Sequence, residues 1–128
     1  MKRILMVEDN AANRKLVGGI LQRAGYEVRE AVTADEGIAL ALIEVFDLVL
    51  MDIQLPGTDG LTATRLLRAN PKTRTLPVLA VTAHAMRGDE KRILEAGCEG
   101  YVAKPIAYKK LLAEISRLLV EAEARLEQ

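Results

Sequence analysis

Apolar runs and helical stripes alternate along this chain from one end to the other, and the alternation predicts five β-α units. The runs Ile4-Leu5-Met6-Val7, Leu48-Val49-Leu50-Met51 and Val78-Leu79-Ala80-Val81 lack polar residues at alternate positions, as strands buried on both faces of a parallel sheet do. Val28 to Val32 and Tyr101 to Ala103 are shorter and more polar and read as strands nearer the sheet edges. Between them, Leu16, Ile20 and Leu21 are spaced to share one helical face, and Ile38, Ala41, Leu42 and Val45 another. Gly25-Tyr26 stops the first helix, and Thr33 followed by Glu36 is a capping box for the second. Leu61 to Ala69 predicts a third helix ended by Asn70-Pro71, and Ala85 to Ala96 a fourth ended by Gly97. Leu111, Leu112, Ile115, Leu118 and Leu119 stripe a long last helix.

No linker, low-complexity tract or repeat divides the chain, so residues 1–128 are expected to form one α/β domain. Its architecture is a doubly wound parallel sheet with right-handed crossovers and helices on both faces, a three-layer sandwich. Residues 120–128 carry the last helix beyond what the sheet needs. They read as a frayed or extended end, a dimer contact or the stump of a linker. In such a fold the loops at the C-terminal ends of the strands gather at one rim, where ligand chemistry belongs.

Composition narrows the function. Half of the 128 residues are apolar, enough for a core without disulfides. Eighteen basic residues balance eighteen acidic ones, so the basic face that nucleic-acid binding needs is not expected. The single cysteine, Cys98, has no partner for a disulfide and no zinc-ligand spacing around it, and reads as a small buried hydrophobe. The opening MKRILMVED is too short in apolar residues for a signal peptide or a membrane span, so the expected location is cytoplasmic.

The rim supplies the chemistry. Glu8 and Asp9 follow the first predicted strand and Asp52 ends the third, so adjacency of those strands brings three carboxylates together. Like charges that close raise one another's pKa unless a cation joins them. Oxygen-only ligands favour a hard ion, and so few carboxylates suit Mg²⁺, which keeps several waters and binds phosphate readily. Lys104 follows the fifth strand and Thr82 ends the fourth. An ammonium and a hydroxyl there suit a phosphoryl group beside a metal. Taken singly, each of these residues is explained as a strand end, a helix cap or a surface lysine; taken together, they share one ligand.

Jointly and in order, Val7-Glu8-Asp9-Asn10, Met51-Asp52-Ile53-Gln54-Leu55-Pro56 with Asp59-Gly60-Leu61, Val81-Thr82-Ala83, Gly97-Cys98, and Tyr101 with Lys104-Pro105 resemble the receiver domains of bacterial two-component response regulators. The stretches from Asp52 and from Thr82 look most like single-domain receivers of the cell-division and polarity type and like receivers of hybrid histidine kinases. These motifs do not separate the two. The resemblance implies a flavodoxin-like (βα)5 fold with sheet order 2-1-3-4-5. It implies that Asp52 accepts a phosphoryl group from a histidine kinase or a histidine phosphotransfer protein. Mg²⁺, or Mn²⁺ in its place, would be held by Asp9, Asp52 and the backbone carbonyl of Gln54, with Glu8 acting largely through water. Lys104 would neutralise phosphoryl oxygens, aimed by a cis peptide to Pro105. Thr82 and Tyr101 would form the switch to an output face of the fourth helix, fifth strand and fifth helix, which engages a downstream protein. Gln54 and His84 would tune the lifetime of the phosphorylated form.

His84 is the single histidine and has no partner base around it in sequence, which argues against a phosphohistidine role of its own. Gly18-Gly19 inside the first helix weakens it locally or admits a partner helix, glycine costing about 1 kcal/mol relative to alanine. A haloacid-dehalogenase-like phosphatase also uses a strand-end aspartate and Mg²⁺. It needs a second acid two residues later, where this chain has Gln54. A flavin-binding relative needs a Gly-rich phosphate loop after the first strand, and none is present. The expected function is therefore a phosphorylation-dependent protein-binding module, a monomer or weak dimer with no nucleic-acid or membrane partner, and not a turnover enzyme.

Overall fold

A computed structural model describes residues 1–83 and 89–127 of the chain. Strands β1 (Arg3–Val7), β2 (Glu27–Ala31), β3 (Leu48–Asp52), β4 (Val78–Thr82) and β5 (Gly100–Ala103) alternate with helices α1 (Ala11–Arg23), α2 (Ala34–Ile43), α3 (Gly60–Ala69), α4 (Asp89–Glu95) and α5 (Tyr108–Leu126). All four strand pairings are parallel, and the sheet order is β2-β1-β3-β4-β5. The fold is thus the doubly wound, flavodoxin-like arrangement expected, with β2 and β5 at the edges.

The apolar runs form the centre of the sheet because every residue of β3 and β4 is buried. Alternate side chains serve opposite layers: Ile4 and Met6 of β1 pack with Val17, Leu21, Leu111 and Ile115 under α1 and α5. Leu5 and Val7 pack with Ala41, Leu61, Leu67 and Ile93 under α2, α3 and α4. A strand with both faces covered has no position at which a polar residue reaches water, hence the unbroken apolar runs.

Two predicted helix faces differ from those observed. On α1 the buried residues are Val17, Gly18 and Leu21, while Leu16 is 64% exposed. Gly18 lies against the sheet, where a Cβ would meet Met6 and Glu30 at 3.6 and 3.4 Å. Gly19 faces open space. On α2 the helix stops at Ile43, so Val45 falls in the following loop, exposed, and the covering face is Ala34, Gly37 and Ala41. The expected fourth helix begins at 85, but residues 84–88 lie outside the described set; the helix is seen from Asp89.

The helix ends follow local chemistry. Asn10, Thr33 and Asp59 each cap a helix by accepting an N–H three residues on, at 2.9, 3.1 and 2.8 Å. Gly25 and Gly97 take φ of 96° and 107° after α1 and α4, the left-handed turn that glycine makes without strain. Gly60 matters most to the site: a Cβ there would come within 2.3 Å of the Asp52 carbonyl oxygen, so α3 starts directly against the end of β3.

Candidate functional site

The register places Val7 beside Met51 and Asp52 beside Val81, so the ends of β1, β3 and β4 open on the same rim. Asp52 is the last residue of β3 and is only 2% exposed. Glu8, just past β1, is 7% exposed, and Asp9 next to it is exposed. One carboxylate oxygen from each of Glu8, Asp9 and Asp52 lies within 4.8 Å of the others. From the opposite side, Lys104 follows β5, and its Nζ stands 2.9 Å from Asp52 Oδ2 and 3.7 Å from Glu8 Oε1. The Lys104–Pro105 peptide is cis. Lys104 is also tied through its backbone, its N–H donating to the Thr82 carbonyl at 2.8 Å.

Three clustered carboxylates and one ammonium leave an excess of negative charge, two of the acids being buried, and the titration of the site reflects it. Burial, and after it the adjoining Asp52 carboxylate, push the Glu8 carboxyl up to about 7, against the pull of the Asn13 amide and the Lys104 ammonium. Burial also works against ionised Asp52, but contacts with Glu8, Lys104 and the Gln54 N–H outweigh it and hold its pKa below the usual value. Lys104 loses hydration by burial as well, yet Asp52 and Glu8 hold its pKa up. Glu8 Oε2 is buried with no hydrogen-bond partner among the described residues. An orphaned carboxylate oxygen, in an all-oxygen donor set carrying surplus negative charge, fits a hard divalent cation.

The surrounding residues complete the geometry. Gln54 donates its backbone N–H to Asp52 Oδ1 at 2.9 Å, and its side-chain Oε1 accepts the Ala83 N–H at 3.2 Å. Residue 54 therefore joins the loop after β3 to the end of β4. Thr82 is fully buried at that end, in register with Ala103. Tyr101 is half-buried on edge strand β5, its ring against the α2, α3 and α4 layer. Partial burial and then the carboxylate of Glu90 raise its hydroxyl pKa. His84 lies outside the described residues.

Residues 4–116 match the family described as the response regulator receiver domain. The chain belongs to that family. This receiver is 42% identical to the polar-differentiation response regulator DivK of Brucella ovis over 94% of its own length and 98% of that protein. A CheY-like receiver domain protein from Methanospirillum hungatei superposes with a TM-score of 0.89 at 34% identity, covering 98% of each chain. The receiver domain of a sensor histidine kinase from Pseudomonas aeruginosa, solved with a magnesium ion coordinated in its active-site cleft, gives 0.86 at 36% identity. That match covers 92% of this chain and 97% of the other.

The receiver thus brings Glu8, Asp9, Asp52, Lys104, Gln54 and Thr82 to one rim and sets Tyr101 on the neighbouring edge strand. Sequence reasoning passed over Asn13 and Arg14. Asn13 donates its side-chain amide to Glu8 Oε1 at 3.0 Å, and Arg14 donates to the backbone carbonyls of Glu8 and Asp9, both at 2.9 Å. One signal was available: the third position of α1, where a capping box would place Glu or Gln, holds Asn.

Proposed function

We propose that this receiver, acting as a single domain over residues 1–128, accepts a phosphoryl group on Asp52 from a phosphohistidine of a histidine kinase or phosphotransfer protein. One observation carries the reading: a carboxylate that is 2% exposed is gripped by an ammonium at 2.9 Å on one side and faces two further acids on the other. In the transfer an Asp52 carboxylate oxygen forms the new P–O bond in line with the breaking P–N bond, and the partner's imidazole departs with the electron pair of that bond. Positioning and charge neutralisation govern such a reaction more than covalent chemistry by the protein. Asp9, Asp52 and the Gln54 carbonyl would hold Mg²⁺, or Mn²⁺, with Glu8 acting through water; the ion, when bound, would neutralise phosphoryl oxygens. Lys104 neutralises them from the far side, and the Thr82 hydroxyl donates to one.

Movement of Thr82 toward the phosphoryl group leaves space that Tyr101 turns to fill. The surface formed by α4, β5 and α5 changes shape as a result and is read by a downstream protein. Gln54 and His84 set how long the phosphorylated form lasts. The domain promotes its own phosphorylation and dephosphorylation and turns over no external substrate. Among the described residues no helix is long and apolar enough to cross a membrane; the balanced charge and kinase-facing role are those of a cytoplasmic module. Intact mass after incubation with a small phosphodonor tests the reading. The expected result is one added phosphoryl group in wild type, only with Mg²⁺, and none in Asp52→Asn. Equal labelling of that variant would refute it.

A further inference from the structure

Glu8 is the acid of the cluster that a side chain of α1 reaches directly. Its Oε1 receives the Asn13 amide at 3.0 Å and stands 3.7 Å from the Lys104 ammonium, whereas its buried Oε2 has no partner among the described residues. Asn13 is the third residue of α1. Its backbone N–H already satisfies the Asn10 cap at 2.9 Å, so the side chain is not needed to close the helix end. Asparagine is also a poor helix former, and nothing in the helix itself favours it at this place. Its amide reaches the end of β1 instead.

The two oxygens of a carboxylate are equivalent until something distinguishes them. With the Asn13 donor absent, Glu8 is free to rotate and close on Lys104, which would draw the ammonium away from Asp52 and turn both Glu8 oxygens from the acidic cluster. With the donor present, Oε1 is held and the buried Oε2 is left without a partner among the described residues, on a residue that shares the cluster with Asp9 and Asp52. Residues of this kind, behind the groups that meet a metal, orient those groups and tune affinity.

We propose that Asn13 is a positioning residue: its amide fixes the Glu8 carboxylate so that Oε2 is presented to the hydrated cation and Lys104 stays with Asp52. The inference rests on the Mg²⁺ reading above and adds to it a role for a side chain that touches neither the ion nor the phosphoryl group. Arg14 serves as the contrast. It binds the backbone carbonyls of Glu8 and Asp9 and does not touch either carboxylate.

The test is a double-mutant cycle read by Mg²⁺ titration calorimetry, with Mn²⁺ paramagnetic relaxation as a second probe, on the full chain without a phosphodonor. Asn13→Ala and the similarly sized Asn13→Leu are each made in wild type and in a Glu8→Ala background, with folding checked by circular dichroism. Removing a side chain that orients a group facing a metal costs about tenfold or more in metal affinity, and that loss is expected in wild type. In the Glu8→Ala background the same changes are expected to have no effect, since a positioning residue has nothing left to position. Unchanged affinity in wild type, or an equal loss in both backgrounds, would overturn the role of Asn13 while leaving the metal site intact. Failure of wild type to bind either ion would overturn the metal reading and this inference together.

Discussion

At the beginning of the sheet, Arg3 donates to Glu27, to Glu44 Oε1 and the Val45 carbonyl at 2.7 Å each, and lies 4.8 Å over the Phe46 ring. Arg68 closes the same end of β4 and β5, donating to the Leu76 and Gly97 carbonyls at 2.7 and 3.0 Å and to Glu99 at 2.6 Å. At the other end of the strands, three acids face one lysine, and a buried carboxylate oxygen goes without a partner among the described residues. The two rims use the same residue types to opposite ends. Where the fold has to be held, each arginine is matched to its acceptors. At the acidic rim, where the proposed function would admit an ion and a phosphoryl group, the matching is left incomplete, as at sites where stability is given up for function.

The pH dependence of the metal-free protein exposes that difference most strongly. Glu8 titrates at about 7 in the fold against an ordinary 4.5. Its contribution to stability is therefore full below about pH 4.5 and is lost as the pH rises through 7. Asp52 is held low by its contacts with Glu8, Lys104 and the Gln54 N–H; the Glu8 part turns to repulsion as Glu8 ionises through that window, and the rest is given up only as the pH falls through the depressed value of Asp52. Metal-free stability measured by urea unfolding should drop by up to about 3 kcal/mol between pH 5 and pH 8. Saturating Mg²⁺ should recover most of the loss, about 2.7 kcal/mol at a hundred times the dissociation constant. A flat profile would mean that the acidic rim is as well matched as the opposite one.

Arg68→Ala breaks the comparison from the other side. It takes a donor from the Thr73, Leu76 and Gly97 carbonyls and leaves the Glu99 carboxylate with the Val78 N–H but no counter-ion, and should cost about 2 kcal/mol. Because none of those groups touches the acidic cluster, the loss should be the same with and without Mg²⁺ in parallel unfolding curves.

The two rims were not equally legible in the sequence, and neither were the elements between them. β1, β3 and β4 announce themselves because burial on both faces removes every polar position. Of the edge strands, β2 lies one residue before its expected span and β5 begins one residue earlier than expected, since one ladder partner and mixed burial leave a weaker pattern. The α1 face was misjudged at Leu16 because a hydrophobicity pattern gives no weight to Gly18, which meets the sheet through its backbone. The spacing of Val45 continues the α2 stripe although the chain has already left the helix at Ile43. The acids, Lys104 and Thr82 could be located at the rim from strand ends alone. Asn13 shows in the sequence only as an unusual residue at the third position of α1, and its partner becomes visible only once α1 is set against the end of β1.

The unmatched rim is tested most directly by thermal unfolding of wild type and Asp52→Asn at pH 8, each with and without Mg²⁺. Removing the buried Asp52 charge relieves its repulsion with Glu8 and leaves Lys104 to pair with Glu8, so the metal-free variant should be more stable than wild type by about 1 kcal/mol. Mg²⁺ should raise the midpoint of wild type and scarcely move that of the variant. A variant less stable than metal-free wild type, with a wild type indifferent to Mg²⁺, would show that Asp52 serves the fold and not an ion.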